Sequence, residues 1–284
     1  MPRVDVGGVN LYYEESGVGR TVVFSHGIPT DHRAWGAQMG PFSRDRRAIA
    51  YSRRYAHPNE RSGDVTDSTI ENNASDLKGL IEKLGAGPVD LVGHSYGGFI
   101  AAFLAASHPD LVRSLVLVEP AISTLLVEDE SSQGQMLSLL LRSPSVALSA
   151  RRFQTRSLRP SLEALDAGRT EAAVRLNVDG VQDRPGAFAA MADAQRAMML
   201  DNARTIAELR TRFPPFKGRI GAIASRTLVV NGRESALWLR RIGQLAASSI
   251  PGAQLALVSG ARHFPHIESA SEFNERVLAF LSAP

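Results

Sequence analysis

The residues best placed to do chemistry are Gly93-His94-Ser95-Tyr96-Gly97, a G-x-S-x-G run. A five-residue match is weak on its own, so its meaning lies in what flanks it. An apolar stretch, residues 89–92, runs directly into the motif, and an alanine-rich stretch, residues 97–107, leaves it. A sharp strand-to-helix turn there forces the serine into strained backbone geometry, and the glycines remove side chains that would collide across the turn. The hydroxyl then stands at a helix N-terminus, whose dipole favours developing negative charge. The chemistry implied is nucleophilic attack by the Ser95 oxygen. A serine hydroxyl needs a base for this at neutral pH. Seven histidines are available: His26, His32, His57, His94, His108, His263 and His266. His108 precedes Pro109 at a helix end and reads as structural. His263 and His266 have i, i+3 spacing, but a metal would need further ligands and none is suggested.

The elements that must position these residues follow from apolar periodicity and turn signals. Residues 9–15 predict an early antiparallel strand. Residues 21–25 predict a buried strand ending in His26-Gly27-Ile28-Pro29. Asp31 is placed to cap a helix carrying Trp35 and Met39 on one face. A strand at 47–51, a helix at 68–84 stopped by Gly85 and Gly87, a strand at 88–93, a helix at 97–107 and a strand at 114–118 come next. This alternation predicts a mostly parallel sheet flanked by helices on both faces. From Ile122 to Ala222 the pattern is helical, punctuated by Pro144, Pro160, Pro185 and Pro214-Pro215. Strands at 226–231 and 254–259 and a helix at 236–249 follow. A last helix at 269–281 carries Ser269 and Glu272 at capping-box spacing. The expected organisation is an α/β core, 1–121 and 223–284, with a helical cap, 122–222, inserted as a lid beside the strands' carboxyl ends.

With those residues in place the sequence resembles the α/β-hydrolase superfamily over essentially its whole length. The matching pieces are His26-Gly27-Ile28-Pro29, residues 93–98, Val118-Glu119-Pro120 and Gly260-Ala261-Arg262-His263. The resemblance implies that His263, in the loop before the last helix, is the base. His26 and His94 are then structural, holding loops through their rings. The acid that orients the imidazole departs from the family's commonest pattern, because the usual aspartate position is Ser235 in Val230-Asn231-Gly232-Arg233-Glu234-Ser235. Glu119 and Glu234 are the substitutes, both keeping the order serine, acid, histidine. Glu119 is favoured, since a glutamate closing an apolar strand and followed by proline is poorly explained as surface, and burial without a partner is costly. Glu234 beside Arg233 also reads as an exposed ion pair. The resemblance further assigns the backbone N–H groups of Ile28 and Tyr96 to an oxyanion hole. Trp35, Trp238 and Phe264 are candidates for the substrate-pocket wall, as are the aromatic rings of Tyr96 and Phe99. Where relatives have an aspartate-arginine-glycine loop, this chain has Tyr51-Ser52-Arg53-Arg54-Tyr55-Ala56-His57-Pro58. Those arginines either clamp a substrate carboxylate or, the favoured reading, brace the loop against acids such as Asp31 or Asp64.

The composition sets limits consistent with this. The chain has 284 residues, 44% hydrophobic and 21% charged, enough to bury a substantial core. The net charge is only +3, lysine occurs at three positions (Lys78, Lys83, Lys217), and no concentrated basic face suggests nucleic acid. There is no cysteine, which excludes disulfides and thiolate metal sites. The first ten residues are polar, with no apolar segment of signal or membrane type. The expectation is a cytoplasmic serine hydrolase with a small-molecule substrate, needing neither cofactor nor metal and binding neither membrane nor nucleic acid. Its leading activity is cleavage of an ester, lactone or related acyl bond. Carbon–carbon bond hydrolysis, a hydroxynitrile-lyase-like reaction and a receptor that retains a triad are the alternatives. Ser95 argues against family members whose nucleophile is aspartate.

Overall fold

The computed structural model describes residues 2–59, 65–129 and 132–283. The strands are β1 (Arg3–Asp5), β2 (Asn10–Ser16), β3 (Arg20–Ser25), β4 (Arg46–Tyr51), β5 (Val89–His94), β6 (Val112–Val118), β7 (Arg226–Gly232) and β8 (Gln254–Val258). Among the described residues they form one sheet of eight strands in the order β1-β2-β4-β3-β5-β6-β7-β8. Pairings β1–β2 and β2–β4 are antiparallel, and the remaining pairings are parallel. The short first strand, Arg3–Asp5, is the one that periodicity missed.

Side chains alternate across the central strands, so each strand feeds two cores. Val23, Ile49, Leu91, Leu115 and Val229 face one of them. Val22, Phe24, Ala48, Val92, Val116 and Val230 face the other. A strand buried on both faces reads as an unbroken apolar run, which is why residues 115–118 look as they do. Each of these side chains apart from Ala48 contributes about 1.5–3 kcal/mol relative to exposure. The first core is covered by α2 (Ile70–Lys83) and α3 (Tyr96–Ser107), the second by α1 (Gly36–Phe42) and the C-terminal helix. Thr69 caps α2 by accepting from the Asn72 N–H.

Between β6 and β7 the described residues carry helices and no strand. These are α4 (Gln133–Arg142), α5 (Pro144–Phe153), α6 (Arg159–Asp166), α7 (Thr170–Val181) and α8 (Asp193–Asp201), followed by a 3₁₀ run at Ala203–Arg210. Pro144 opens α5, where a missing N–H costs nothing. Pro160 does not end the helix as its punctuation suggested. A π turn, Gln154–Leu158, carries the chain from α5 straight into α6. The wider turn accommodates a proline that can neither donate nor pack against a normal preceding turn.

After β7 come α9 (Leu237–Ser249), β8, a short α10 (Pro265–Glu268) and α11 (Ala270–Ser282). The capping box expected at Ser269 and Glu272 does not form. The Ser269 hydroxyl donates instead to the Ser259 carbonyl (2.8 Å), and Glu272 accepts from the Ser259 N–H (3.1 Å). Both side chains tie the end of β8 to α11, which satisfies the strand-end backbone rather than the helix.

Candidate active site

Ser95 follows the last residue of β5 and precedes the first of α3, with φ 51°. That left-handed value is unusual for a non-glycine residue and needs support from its surroundings. Three hydrogen bonds supply it. Ser95 N–H donates to the Val118 carbonyl (2.9 Å), and the Ser95 carbonyl accepts from Phe99 and Ala121 (both 3.1 Å). The glycines serve close approach. A Cβ on Gly97 would lie 2.4 Å from the carbonyl oxygens of Ser25 and His26, and one on Gly27 would lie 2.9 Å from the Ser95 Cβ. The Gly27-Ile28 loop therefore packs directly on the serine. Neither the Ile28 nor the Tyr96 N–H donates to a partner among the described residues.

His263 reaches Ser95 from the loop after β8. Its Nε2 lies 3.0 Å from the Ser95 Oγ. On its other side, Nδ1 lies 3.4 Å from Glu119 Oε2. A carboxylate accepts, so Nδ1 donates and Nε2 is left as the acceptor for the hydroxyl proton. Glu119 is fully buried, has φ 48°, and its second oxygen accepts from Asn231 Nδ2 (2.8 Å) and Gly232 N–H (2.7 Å). Parallel register explains the neighbours. Val118 pairs with Val230, so the next residues, Glu119 and Asn231, emerge side by side. Ser95, His263 and Glu119 are 8%, 1% and 0% exposed, so their mutual hydrogen bonds are little weakened by competing water. Glu234 is elsewhere. It is exposed and faces Arg262 at 3.4 Å.

Three other histidines, His26, His94 and His266, are fully buried. His26 Nδ1 donates to the Gly27 carbonyl (2.9 Å) while Nε2 accepts from the Arg53 N–H (3.0 Å). Burial, and then the Arg53 cation, push its pKa down to about 3. His94 Nε2 bonds the His263 carbonyl (2.8 Å), and burial holds its pKa well below the ordinary value. His266 is buried between the rings of Trp35 and His94, each centroid 4.5 Å away, and burial lowers its pKa to about 3. No group of three or more potential ligands suited to a metal occurs among the described residues.

Trp35 does not sit at a pocket wall. It is fully buried against Phe24 and His266 in the second core, on the face covered by α1 and α11. Trp238 stacks on Phe153 of α5 at 5.0 Å, where the helical segment meets α9. Phe264 lines a cavity of about 190 Å³ together with Gln182, Met191, Met199 and Ile267; Ser95 is not among its lining residues. The aromatic ring of Phe99 packs on Phe213 and Phe216, and the Tyr96 hydroxyl donates to the Ser68 carbonyl.

Arg53 and Arg54 are loop braces, with partners other than those expected. Arg53 pairs with buried Glu208 (2.6 Å) and donates from Nε to the His26 carbonyl (3.2 Å). Arg54 pairs with Asp76 (2.8 Å) and Asp67 (3.0 Å). Asp31 is taken by Arg33 and Asn202, and Asp64 lies outside the described residues. His57 is exposed, its N–H donating to Asn202. Sequence reasoning missed Asn231 and Gln182. Asn231 left a readable signal, a polar residue ending an apolar strand beside Glu119; Gln182 left none.

The model of the alpha/beta hydrolase fold family matches residues 20–270. A 2-hydroxy-6-oxononadienedioate/2-hydroxy-6-oxononatrienedioate hydrolase of Paraburkholderia xenovorans is 25% identical, over 97% of this chain and 92% of that protein. The match to lipase LipV of Mycobacterium tuberculosis is 43% identical but covers only 27% of this chain and 28% of the lipase. Among solved structures, an enol-lactonase from Burkholderia xenovorans superposes with a TM-score of 0.70 at 20% identity, covering 99% of this chain and 100% of that one, a likeness of fold. No helix among the described residues is long and apolar enough to cross a membrane.

Proposed function

The chain belongs to the alpha/beta hydrolase fold family, and on that premise we propose that it is a serine hydrolase cleaving an ester, lactone or related acyl bond of a small molecule. The observation that carries this reading is the Ser95–His263–Glu119 array, at 3.0 and 3.4 Å, with the serine at a positive-φ turn. His263 takes the hydroxyl proton through Nε2 as Ser95 Oγ attacks the carbonyl carbon. The tetrahedral oxyanion is held by the N–H groups of Ile28 and Tyr96, the second at the α3 N-terminus. Glu119 keeps the imidazole in the required tautomer and stabilises the imidazolium. Collapse expels the leaving group, which receives the proton from His263. Water, deprotonated by the same nitrogen, then releases the acid and restores Ser95. The residues between β6 and β7 serve as a cap, residues 122–222, over a core formed by 1–121 and 223–284. Trp238 and Phe264 sit where that cap meets the core and are the pocket-wall candidates. The mechanism uses no cofactor, and the protein acts in the cytoplasm on a small-molecule substrate.

A second reading, carbon–carbon bond hydrolysis on the same residues, is favoured by the relative named as a hydrolase of a 2-hydroxy-6-oxo dienedioate. Steady-state turnover tests the choice. Wild-type protein is expected to cleave short nitrophenyl esters and the Ser95→Ala variant to lose that activity by about a thousandfold or more. Wild-type inertness toward esters, with cleavage of a 2-hydroxy-6-oxo dienoate, selects the second reading.

A further inference from the structure

We propose that Gln182, at the end of α7, is a positioning residue for the base. It holds the loop that carries His263 at the height from which Nε2 meets Ser95. The inference rests on the serine-hydrolase reading above.

Gln182 is 3% exposed, and both ends of its carboxamide are used. Oε1 accepts from the His263 backbone N–H at 2.8 Å, and Nε2 donates to Glu268 Oε1 at 2.7 Å. The other Glu268 oxygen accepts from the N–H groups of Arg262 (2.8 Å) and Phe264 (3.2 Å). Three successive amides, 262 to 264, are thus fixed by one carboxylate and one carboxamide that also bind each other. The middle amide, that of the base itself, is held from the helical segment and not from the α/β core. Arg262 closes the ring, donating from Nη1 to the Gln182 carbonyl (3.4 Å) and the Glu234 carbonyl (2.9 Å).

The backbone next to Gln182 is fixed by the pair of hydrogen bonds that commonly stops a helix. Among the described residues, three non-glycine residues have positive φ: Ser95 (51°), Glu119 (48°) and Asp183 (45°). The first two belong to the catalytic array, and the third immediately follows Gln182. A helix that simply ends favours glycine at such a position. Aspartate is among the side chains that adopt it most readily after glycine. Here the Asp183 N–H donates to the Gly180 carbonyl (3.1 Å) and the Arg184 N–H to that of Asp179 (3.0 Å). These bonds lock the turn that presents Gln182 to the loop. The helical segment then does more than cover the site, because the position of the base depends on it.

The experiment compares full-length Gln182→Met, which keeps side-chain length but loses both hydrogen bonds, with wild type. Three quantities are read: the rate of Ser95 labelling by a fluorophosphonate, kcat and KM for a nitrophenyl ester, and far-UV circular dichroism. A misplaced base is expected to slow labelling and kcat together by about a hundredfold, with KM nearly constant and the spectrum unchanged. Arg210→Ala, which removes an exposed ion pair on the same segment, should change neither rate. Gln182→Glu should also slow labelling, because it sets two carboxylates against each other. Adding Glu268→Gln restores a donor–acceptor contact in swapped order, with acceptors still facing all three amides, and should recover most of the rate. That rescue keeps the test decisive if the methionine variant does not fold. Wild-type labelling by Gln182→Met, a rise in KM alone, or no recovery in the swapped pair overturns the proposal. Absence of labelling in the wild type removes the Ser95 reading and this one with it.

Discussion

Each member of the array is a compromise between the fold and the chemistry. Ser95 and Glu119 both occupy left-handed backbone that costs about 1–3 kcal/mol per residue, retained because neighbouring strands over-determine it. Glu119 is further held by two donors, Asn231 and Gly232, which leave its other oxygen to the imidazole. Its burial was legible in the one charge closing an apolar strand, whereas Glu234 shares chain order with it but is exposed. Replacing Glu119 by glutamine keeps the shape but offers no full charge to a developing imidazolium. Glu119→Gln is therefore expected to lower kcat by about 10³-fold or more. Glu234→Gln, which alters only an exposed ion pair with Arg262, should stay near wild type by the same assay. Near-full turnover in Glu119→Gln with loss in Glu234→Gln would reverse the assignment.

At the scale of elements, the parts that position the serine were readable because their causes are local. A buried parallel strand must be largely apolar, and residues 89–92 are, with Asp90 as the exception, its carboxylate facing Arg46 at 3.4 Å and Arg113 at 3.7 Å. The turn after it must be free of Cβ atoms where Ser25 and His26 approach, and Gly97 stands there. What failed was decided by tertiary contact. Ser269 and Glu272 have the spacing of a cap yet bind the Ser259 backbone, because β8 ends against α11 and its polar groups compete for the same side chains. Pro160 reads as a break and is absorbed by a π turn. Trp35 lies close in sequence to the His26–Pro29 loop but points to the opposite face of the sheet, a matter of one side-chain direction that periodicity in a short helix does not resolve. Gln182 was illegible for another reason: a lone glutamine ending an amphipathic helix carries no mark of the loop it meets across 81 residues.

For the whole molecule, the closed site has a consequence for stability. His26 and His266 are buried and neutral, their pKa values lowered to about 3 by burial, from an ordinary value of 6.5. In the unfolded chain both take up a proton as pH falls through 6.5, while the folded chain does not until about 3. Between those limits the unfolded state binds more protons, so stability is fully present above pH 6.5 and falls as pH drops toward 3. The expected slope approaches about 1.4 kcal/mol per pH unit for each histidine, read from urea unfolding midpoints. The His266→Phe variant should show a shallower slope; an identical slope would mean that this ring is not protonated selectively in the unfolded state. The overall architecture was legible because strand–helix alternation implies a mostly parallel sheet covered on both faces, and the motifs at 26–29, 93–98, 118–120 and 260–263 resemble one superfamily built on such a sheet. The shape of the space above Ser95 was not, because it depends on how separate helices pack together. The claim that joins all three scales is that Ser95 is an activated nucleophile. Its most direct measurement is labelling of the native protein with a fluorophosphonate, followed by mass spectrometry of the peptides. One adduct is expected, on Ser95, and it should be abolished in His263→Ala with the fold intact. A folded protein that takes up no label, or takes it at another serine, would contradict it.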